Sequence, residues 1–127
     1  MRKASIVIAV ALIAALAALV PTAMSKSGDV TSAGTCTAGG ESKLKVGPRG
    51  TNRLRVEFEV EHAAPGQAWN VTLKDNGTAI FQGGKTTNGL GKFEARKTTA
   101  NQSGTDLIEA AATNAVTGET CTASLSL

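Results

Sequence analysis

The sequence is poor in aromatic residues: it has no tyrosine, one tryptophan and three phenylalanines among 127 residues. Proteins that bind sugars or single-stranded nucleic acids by stacking rely on several exposed rings. Strand alternation assigns Trp69, Phe58 and Phe93 to the core. The side of Phe81 stays open, because Ile80 competes with it for the inward position. The composition therefore argues against both classes of ligand.

Histidine and cysteine are equally scarce. His62 is the only histidine, and Cys36 and Cys121 are the only cysteines. These residues do not supply the four ligands of a structural zinc site once the cysteines are oxidised. The segment Asp75-Asn76-Gly77 also lacks the further spaced carboxylates of a calcium loop. We therefore expect no metal site and no cofactor.

Motifs of catalysis are missing as well. No G-x-S-x-G elbow or comparable nucleophile motif occurs in the sequence. A triad can be named only by combining His62 with Ser103 and with Asp75 or Asp106, and no motif places these residues together. We predict that the chain is not an enzyme, and we keep a small secreted hydrolase or enzyme inhibitor as the alternative.

The first 25 residues have the three parts of a secretory signal peptide. Met1-Arg2-Lys3 is basic, residues 4–20 carry no charge, and small residues follow at Ala23 and Ser25. We predict a signal helix over residues 1–25 that is cleaved after Ser25, with cleavage after Ala23 nearly as favourable. An uncleaved N-terminal anchor is the alternative, although the apolar segment is shorter than a membrane span requires.

Removal of the signal peptide on export leaves 102 residues, and their charge composition predicts which partners the protein binds. Loss of Arg2 and Lys3 leaves 11 basic and 10 acidic residues, and their signs alternate along the predicted strands. Such a chain lacks the clustered positive charge that nucleic acids and anionic membranes attract. The sequence therefore predicts a secreted, extracellular protein with no nucleic-acid partner and no membrane partner after cleavage.

The two cysteines are predicted to form one disulfide bond. An exported chain meets an oxidising compartment, and Cys36 and Cys121 have only one intramolecular pairing. Their bond closes a loop of about 85 residues, which on the chain-entropy treatment stabilises the fold by about 4.5 kcal/mol. Residues 26–40, rich in serine, threonine and glycine, are predicted to be a flexible leader that Cys36 ties down at its end.

The clearest strand of the sequence spans residues 53–61. Its apolar side chains alternate with charged ones, because successive side chains of a strand point to opposite faces. The Asn76-Gly77 pair predicts a two-residue hairpin turn between two further strands. Residues 105–113 are alanine-rich and are also compatible with a helix, but their length and flanking turns favour a strand. Seven strands are predicted, at residues 42–46, 53–61, 68–75, 78–82, 92–98, 105–113 and 119–127.

Short strands separated by regular turns are typical of a β-sandwich. The Trp69-Asn-Val-Thr-Leu strand with its Asn76-Gly77 turn, together with the segment from Ala112 to Cys121, resembles immunoglobulin-like or fibronectin-III-like domains of small secreted actinobacterial proteins. The resemblance implies an all-β, seven-stranded antiparallel sandwich over residues 41–127. The cysteines depart from the immunoglobulin pattern because they flank the domain, and without a tyrosine there is no tyrosine corner.

The predicted function is that of a secreted non-catalytic module that binds a protein or cell-envelope partner. Sandwiches commonly bind through loops or exposed sheet edges, and we expect this chain to be a monomer. The loops at residues 83–91 and 101–104 are the candidate contact regions. Their candidate partner-binding residues are Thr87, Asn88, Leu90, Asn101 and Gln102.

Overall fold

Two antiparallel β-sheets lie face to face in the computed structural model of the chain, which describes residues 28–127. The predicted signal peptide, residues 1–25, falls outside the described residues. The strands are β1 (Val30–Ala33), β2 (Thr35–Cys36), β3 (Glu41–Pro48), β4 (Arg53–Glu61), β5 (Ala68–Asp75), β6 (Thr78–Thr86), β7 (Phe93–Ala100), β8 (Leu107–Asn114) and β9 (Thr120–Ser126).

The four-stranded sheet has the order β1-β3-β4-β7, and the five-stranded sheet has the order β2-β9-β8-β5-β6. All of their pairings are antiparallel. The all-β prediction is therefore confirmed, and the helical alternative for residues 105–113 is wrong. Strand pairing outweighs the helix propensity of alanine in this segment. The inward side chains of Ala110 and Ala112 lie between β5 and β9, where small side chains are sufficient.

Alternation along β4 builds half of the core. Leu54, Val56, Phe58 and Val60 are buried to 4% exposure or less, and they face Trp69, Val71 and Leu73 of the other sheet within one apolar cluster. The ring centroids of Trp69 and Phe93 lie 5.6 Å apart. The indole Nε1 of Trp69 has no hydrogen-bond partner within the part of the chain that the structure describes, so this side chain contributes there through apolar burial.

The outer face of the four-stranded sheet is a ladder of ion pairs. Glu57 accepts from Arg55 at 3.1 Å and lies 3.3 Å from Arg96, and Lys43 pairs with Glu59 at 3.4 Å. The Glu57–Arg96 and Lys43–Glu59 pairs join neighbouring strands, whereas Arg55 and Glu57 both belong to β4. A pair that is exposed to solvent stabilises a sheet by about 1 kcal/mol or less. The predicted alternation of charge therefore serves the sheet itself.

Residues 28–127 form nine strands where the sequence predicts seven. The two additional strands lie in the segment predicted to be a flexible leader. Strand β1 pairs with β3 of one sheet, and β2 pairs with β9 of the other. The chain passes from one sheet to the other at Gly34. Glycine is required there, because a Cβ atom would collide with the carbonyl oxygen of Thr122 and with Ser42 Oγ. Backbone pairing orders β1 and β2 although most of their side chains are small or polar.

The predicted disulfide between Cys36 and Cys121 is confirmed. The two residues are direct partners in the β2–β9 pairing, with Cα atoms 4.0 Å apart. Cys121 is fully buried beneath the end of the sandwich. The bond therefore fixes the N-terminal segment to the five-stranded sheet.

Strand β6 is an edge of the five-stranded sheet and continues beyond its predicted end. A register shift between Leu73 and Lys74 of β5 leaves Ile80 without a direct partner and sets Phe81 opposite Leu73. Phe81 thus lies on the inner side, half-buried, with Lys85 Nζ 5.8 Å from its ring centroid. The bulge and the lysine shield an otherwise open edge from pairing with other chains.

Candidate functional site

The loops of the sandwich cluster at two opposite ends. Loops 63–67, 87–91 and 115–118 form one end, which we name the uncharged end because none of their residues carries a charge. Loops 49–52, 76–77 and 101–106 form the other, which we name the far end. Strand β7 (Phe93–Ala100) runs from one end to the other, a length of about 25 Å at about 3.3 Å per residue.

Backbone hydrogen bonds place loop 63–67 in the middle of the uncharged end. The amide of Ala63 donates to the carbonyl of Gly91 at 3.0 Å, which joins this loop to loop 87–91. On the opposite side, the amide of Ala115 donates to the carbonyl of Ala68 at 2.9 Å. The three loops therefore form one continuous surface.

Thr87 connects loop 87–91 to the centre of this surface. Its Oγ1 donates to the carbonyl of Ala64 at 2.7 Å and accepts from the amide of Gln67 at 2.9 Å. The residue is only 3% exposed. Thr87, predicted as a contact residue, is therefore buried, and its hydrogen bonds hold loops 63–67 and 87–91 together beneath the surface.

Asn88 shapes the tip of the same loop. Its Oδ1 accepts from the amides of Leu90 and Lys92 at 2.8 and 3.0 Å, so the side chain replaces backbone hydrogen bonds, as asparagine does in tight turns. Gly91 has a φ of +74°, and a side chain there would collide with the carbonyl oxygen of Ala63. These contacts leave the loop little conformational freedom.

Asn114 holds loop 115–118 in the same way. Its Oδ1 accepts from the amides of Val116 and Thr117 at 2.7 and 3.1 Å, and its Nδ2 donates to Gln67 Oε1 at 2.8 Å. The side chain is 2% exposed. A buried side-chain amide whose donor and acceptor are both hydrogen-bonded stabilises the fold. The contact between Asn114 and Gln67 therefore holds loops 63–67 and 115–118 together.

The uncharged end presents two large apolar side chains to solvent. Leu90 is 82% exposed and Val116 is 69% exposed. Leu107, at the far end, is the other large apolar side chain of residues 28–127 that is exposed, at 39%. Apolar side chains held on a rigid support lose little freedom on binding, which favours their use as contacts.

Charged residues surround the base of this end. Lys92 Nζ lies 2.6 Å from Glu59 and 3.7 Å from Glu61. The hydrogen bond from Lys92 lowers the pKa of Glu59, and the same contact raises the pKa of Lys92. The pair thus remains ionised around neutral pH and forms a polar border to an apolar tip.

The other candidate residues, Asn101 and Gln102, lie at the far end. The amide of Asn101 donates to the carbonyl of Asn52 at 2.9 Å, and Gln102 lies 3.5 Å from Asn76. Because the two predicted contact regions lie at opposite ends, one small contact face does not include both. Among the candidates, Asn88 and Leu90 alone are exposed within the uncharged end.

The residues named for a catalytic triad are separated in the same manner. His62 follows β4 beside the uncharged end, whereas Ser103, Asp75 and Asp106 lie at the far end. His62 Nδ1 lies 3.3 Å from Glu41, and both side chains are exposed. Glu61, which is partly buried, joins them in a cluster of three side chains that could offer ligands to a metal ion.

A shallow concave region of about 810 Å³ lies over the outer face of the five-stranded sheet. Its floor consists of small polar and alanine side chains, with Lys74 and Glu109 as its charged members. These two residues are direct partners across β5 and β8. The region offers no aromatic side chain to a ligand.

Sequence patterns did not reveal the residues that organise the uncharged end. Gln67, Asn114 and Val116 each lie in a predicted turn or at its edge, and their contacts join segments about 50 residues apart in the chain, such as Asn114 to Gln67. The available signal was the lack of charge in three turns, combined with Leu90 and Val116 in otherwise polar segments.

Scans of family models and searches of curated proteins and solved structures found no match to this chain. Within residues 28–127, no helix is long and apolar enough to cross a membrane. A function for this chain is therefore inferred from its fold and from the geometry of its loops.

Proposed function

We propose that the chain is a secreted, non-catalytic immunoglobulin-like module that binds a protein or cell-envelope partner through its uncharged end. The observation that supports this most directly is the pair of exposed side chains, Leu90 and Val116, on loops that share one hydrogen-bonded frame. Binding interfaces have cores depleted in charge and a polar rim, and the uncharged end has the same arrangement.

The topology supports the immunoglobulin-like type. In that fold, the loop between the second and third strands and the loop between the last two strands meet at one end, where antibody variable domains bind antigen. Loop 63–67, between β4 and β5, and loop 115–118, between β8 and β9, stand in those positions once β1 and β2 are counted as an N-terminal addition. The uncharged end then corresponds to the end that such domains use for binding.

The proposal predicts that shortening the apolar tips abolishes binding without unfolding the domain. Leu90→Ser combined with Val116→Ser removes two exposed anchors, and we expect affinity to fall by about tenfold or more, since an interface hot spot contributes more than about 1 kcal/mol. The stability should change by about 0.5 kcal/mol or less, because both sites are on the surface.

Leu107→Ser is the matched control, because it removes an exposed leucine from the far end. The purified variants are immobilised, exposed to the native secreted and envelope fractions, and compared for the species that each retains, with thermal unfolding measured in parallel. Loss of a species in the double variant but not in the control supports the proposal. Equal retention by all forms contradicts it.

A further inference from the structure

Two aspartates form a buried pair at the far end, away from the proposed binding surface. Asp75 ends β5 and Asp106 precedes β8, and each is 1% exposed. Asp75 is the direct partner of Ile108, so Asp106, two residues before Ile108, lies on the same inward side beside Asp75. Two adjacent carboxylates cannot both be ionised at low cost, so such pairs retain a proton.

The described residues around the pair offer it no cation. Neither aspartate has an ion pair among the residues that the structure describes. Among residues 28–127, neither carboxylate oxygen of Asp75 has a hydrogen-bond donor. A buried, unpartnered carboxylate anion is costly, and the neutral acid is the form that such a site favours.

The strands packed around Asp75 also leave it without a compensating charge. Its direct partners are Thr78 on β6 and Ile108 on β8. Lys74 and Glu109, the nearest charged residues on β5 and β8, point to the outer face because strand side chains alternate. On the facing sheet, the buried charged side chain is that of Glu57. It lies on the outer face of that sheet, away from Asp75, and pairs with Arg55.

The pair lies where several segments meet. Asp106 exchanges backbone hydrogen bonds with Leu127, at 3.1 and 3.0 Å, and its Oδ1 accepts from the amide of Gln102 at 3.4 Å. Asn76, next to Asp75, accepts from the amide of Leu107 at 2.8 Å. A change in the charge of the pair therefore acts on loop 101–106 and on the end of β9.

We propose that Asp75 and Asp106 are a proton-binding site that holds loop 101–106 against the end of β5, so that this end of the molecule opens as the proton leaves. The second carboxyl group accepts the hydrogen bond that the shared proton supplies. Ionisation of both groups sets two negative charges side by side in a site without a cation.

The direction of the pH dependence follows from the protonation of Asp75. Burial, and after it the neighbouring Asp106, raises the pKa of Asp75 from 3.8 to about 6. The folded chain then keeps a proton that the unfolded chain has lost. This contribution to stability is complete below the unfolded value and is lost as the pH rises through about 6.

The test compares urea unfolding of the wild-type protein and Asp75→Asn at several pH values between about 4 and about 8. The wild-type unfolding constant should rise on the order of a hundredfold across that range, as a shift of about two pKa units implies. Asp75→Asn, whose neutral amide can donate to Asp106, should show a much flatter profile and be the more stable form at the upper end. Glu109→Gln, which removes an exposed carboxylate, should keep the wild-type profile.

Hydrogen exchange locates the change: the amides of Asp106 and Leu107 should lose protection in the wild-type protein as the pH rises, beyond the intrinsic acceleration, and should keep it in Asp75→Asn. A wild-type profile that is flat, or that stays parallel to that of Asp75→Asn, overturns the proposal. A wild-type protein that millimolar Ca²⁺ stabilises at the upper pH, when Asp75→Asn does not respond, also overturns it, because the pair would then bind a cation.

Discussion

At the scale of single residues, this fold depends on close approaches that a side chain would prevent. Gly34 is the clearest case, because the chain passes from one sheet to the other beside the carbonyl of Thr122 and the hydroxyl of Ser42. The amide of Gly34 also donates to the carbonyl of Ser42 at 2.9 Å. A glycine in a leader segment looks unremarkable in sequence, since only the distant strand β9 gives it a role.

We expect Gly34→Ala to destabilise the domain by about 1 to 3 kcal/mol, because the added methyl group must displace backbone atoms. Gly39→Ala is the matched control: no atom lies within 4 Å of a Cβ built at Gly39. Its stability should stay within about 0.5 kcal/mol of the wild-type value. Chemical denaturation of the two variants measures both, and equal stabilities would refute a tight crossing at Gly34.

At the scale of elements, strands with strong alternation were predictable and strands that rely on pairing were not. The predicted bounds of β4 and β5 match those in the structure, because the inward positions are apolar from Leu54 to Val60 and from Trp69 to Leu73. Strands β1 and β2 lack that signal and are ordered by β3 and β9. Strand β6 was predicted too short, because Gly83 and Gly84 read as a loop although they pair with β5.

Strand β2 has two residues, and the disulfide at Cys36 compensates for its length. Replacing both cysteines by alanine should lower the free energy of unfolding by up to about 4.5 kcal/mol, the loss of the constraint on the unfolded chain. The amide of Thr37, which donates to the carbonyl of Thr120 at 2.9 Å, should exchange faster with solvent. Denaturation and hydrogen exchange check the two effects, and a loss below about 1 kcal/mol with unchanged exchange would contradict this role.

At the scale of the whole molecule, the two ends of the sandwich differ in chemistry. The uncharged end has Leu90 and Val116 on braced loops, whereas the far end has the buried pair Asp75 and Asp106. Sequence patterns predicted the sandwich and placed Leu90 among the contact residues. They did not predict which loops meet, because that depends on contacts such as Asn114 to Gln67 between distant segments.

The proposed binding surface and the aspartate pair lie at opposite ends of the sandwich, so each can be changed without altering the other. A change of pH that opens loop 101–106 acts about 25 Å from Leu90, by the length of β7. We therefore expect Asp75→Asn to alter the pH profile of stability while leaving partner binding below pH 6 unchanged. Binding that fails in this variant, with the fold intact, would show that the far end belongs to the contact surface.

Site-specific photo-crosslinking in the native culture would show whether the uncharged end binds a partner. A photoreactive amino acid replaces Leu90 in one form of the full chain and Leu107 in another. We expect a discrete adduct at position 90 that Val116→Ser weakens, and no adduct at position 107. No adduct at position 90, or the same adducts at both positions, would mean that the uncharged end is not the binding surface.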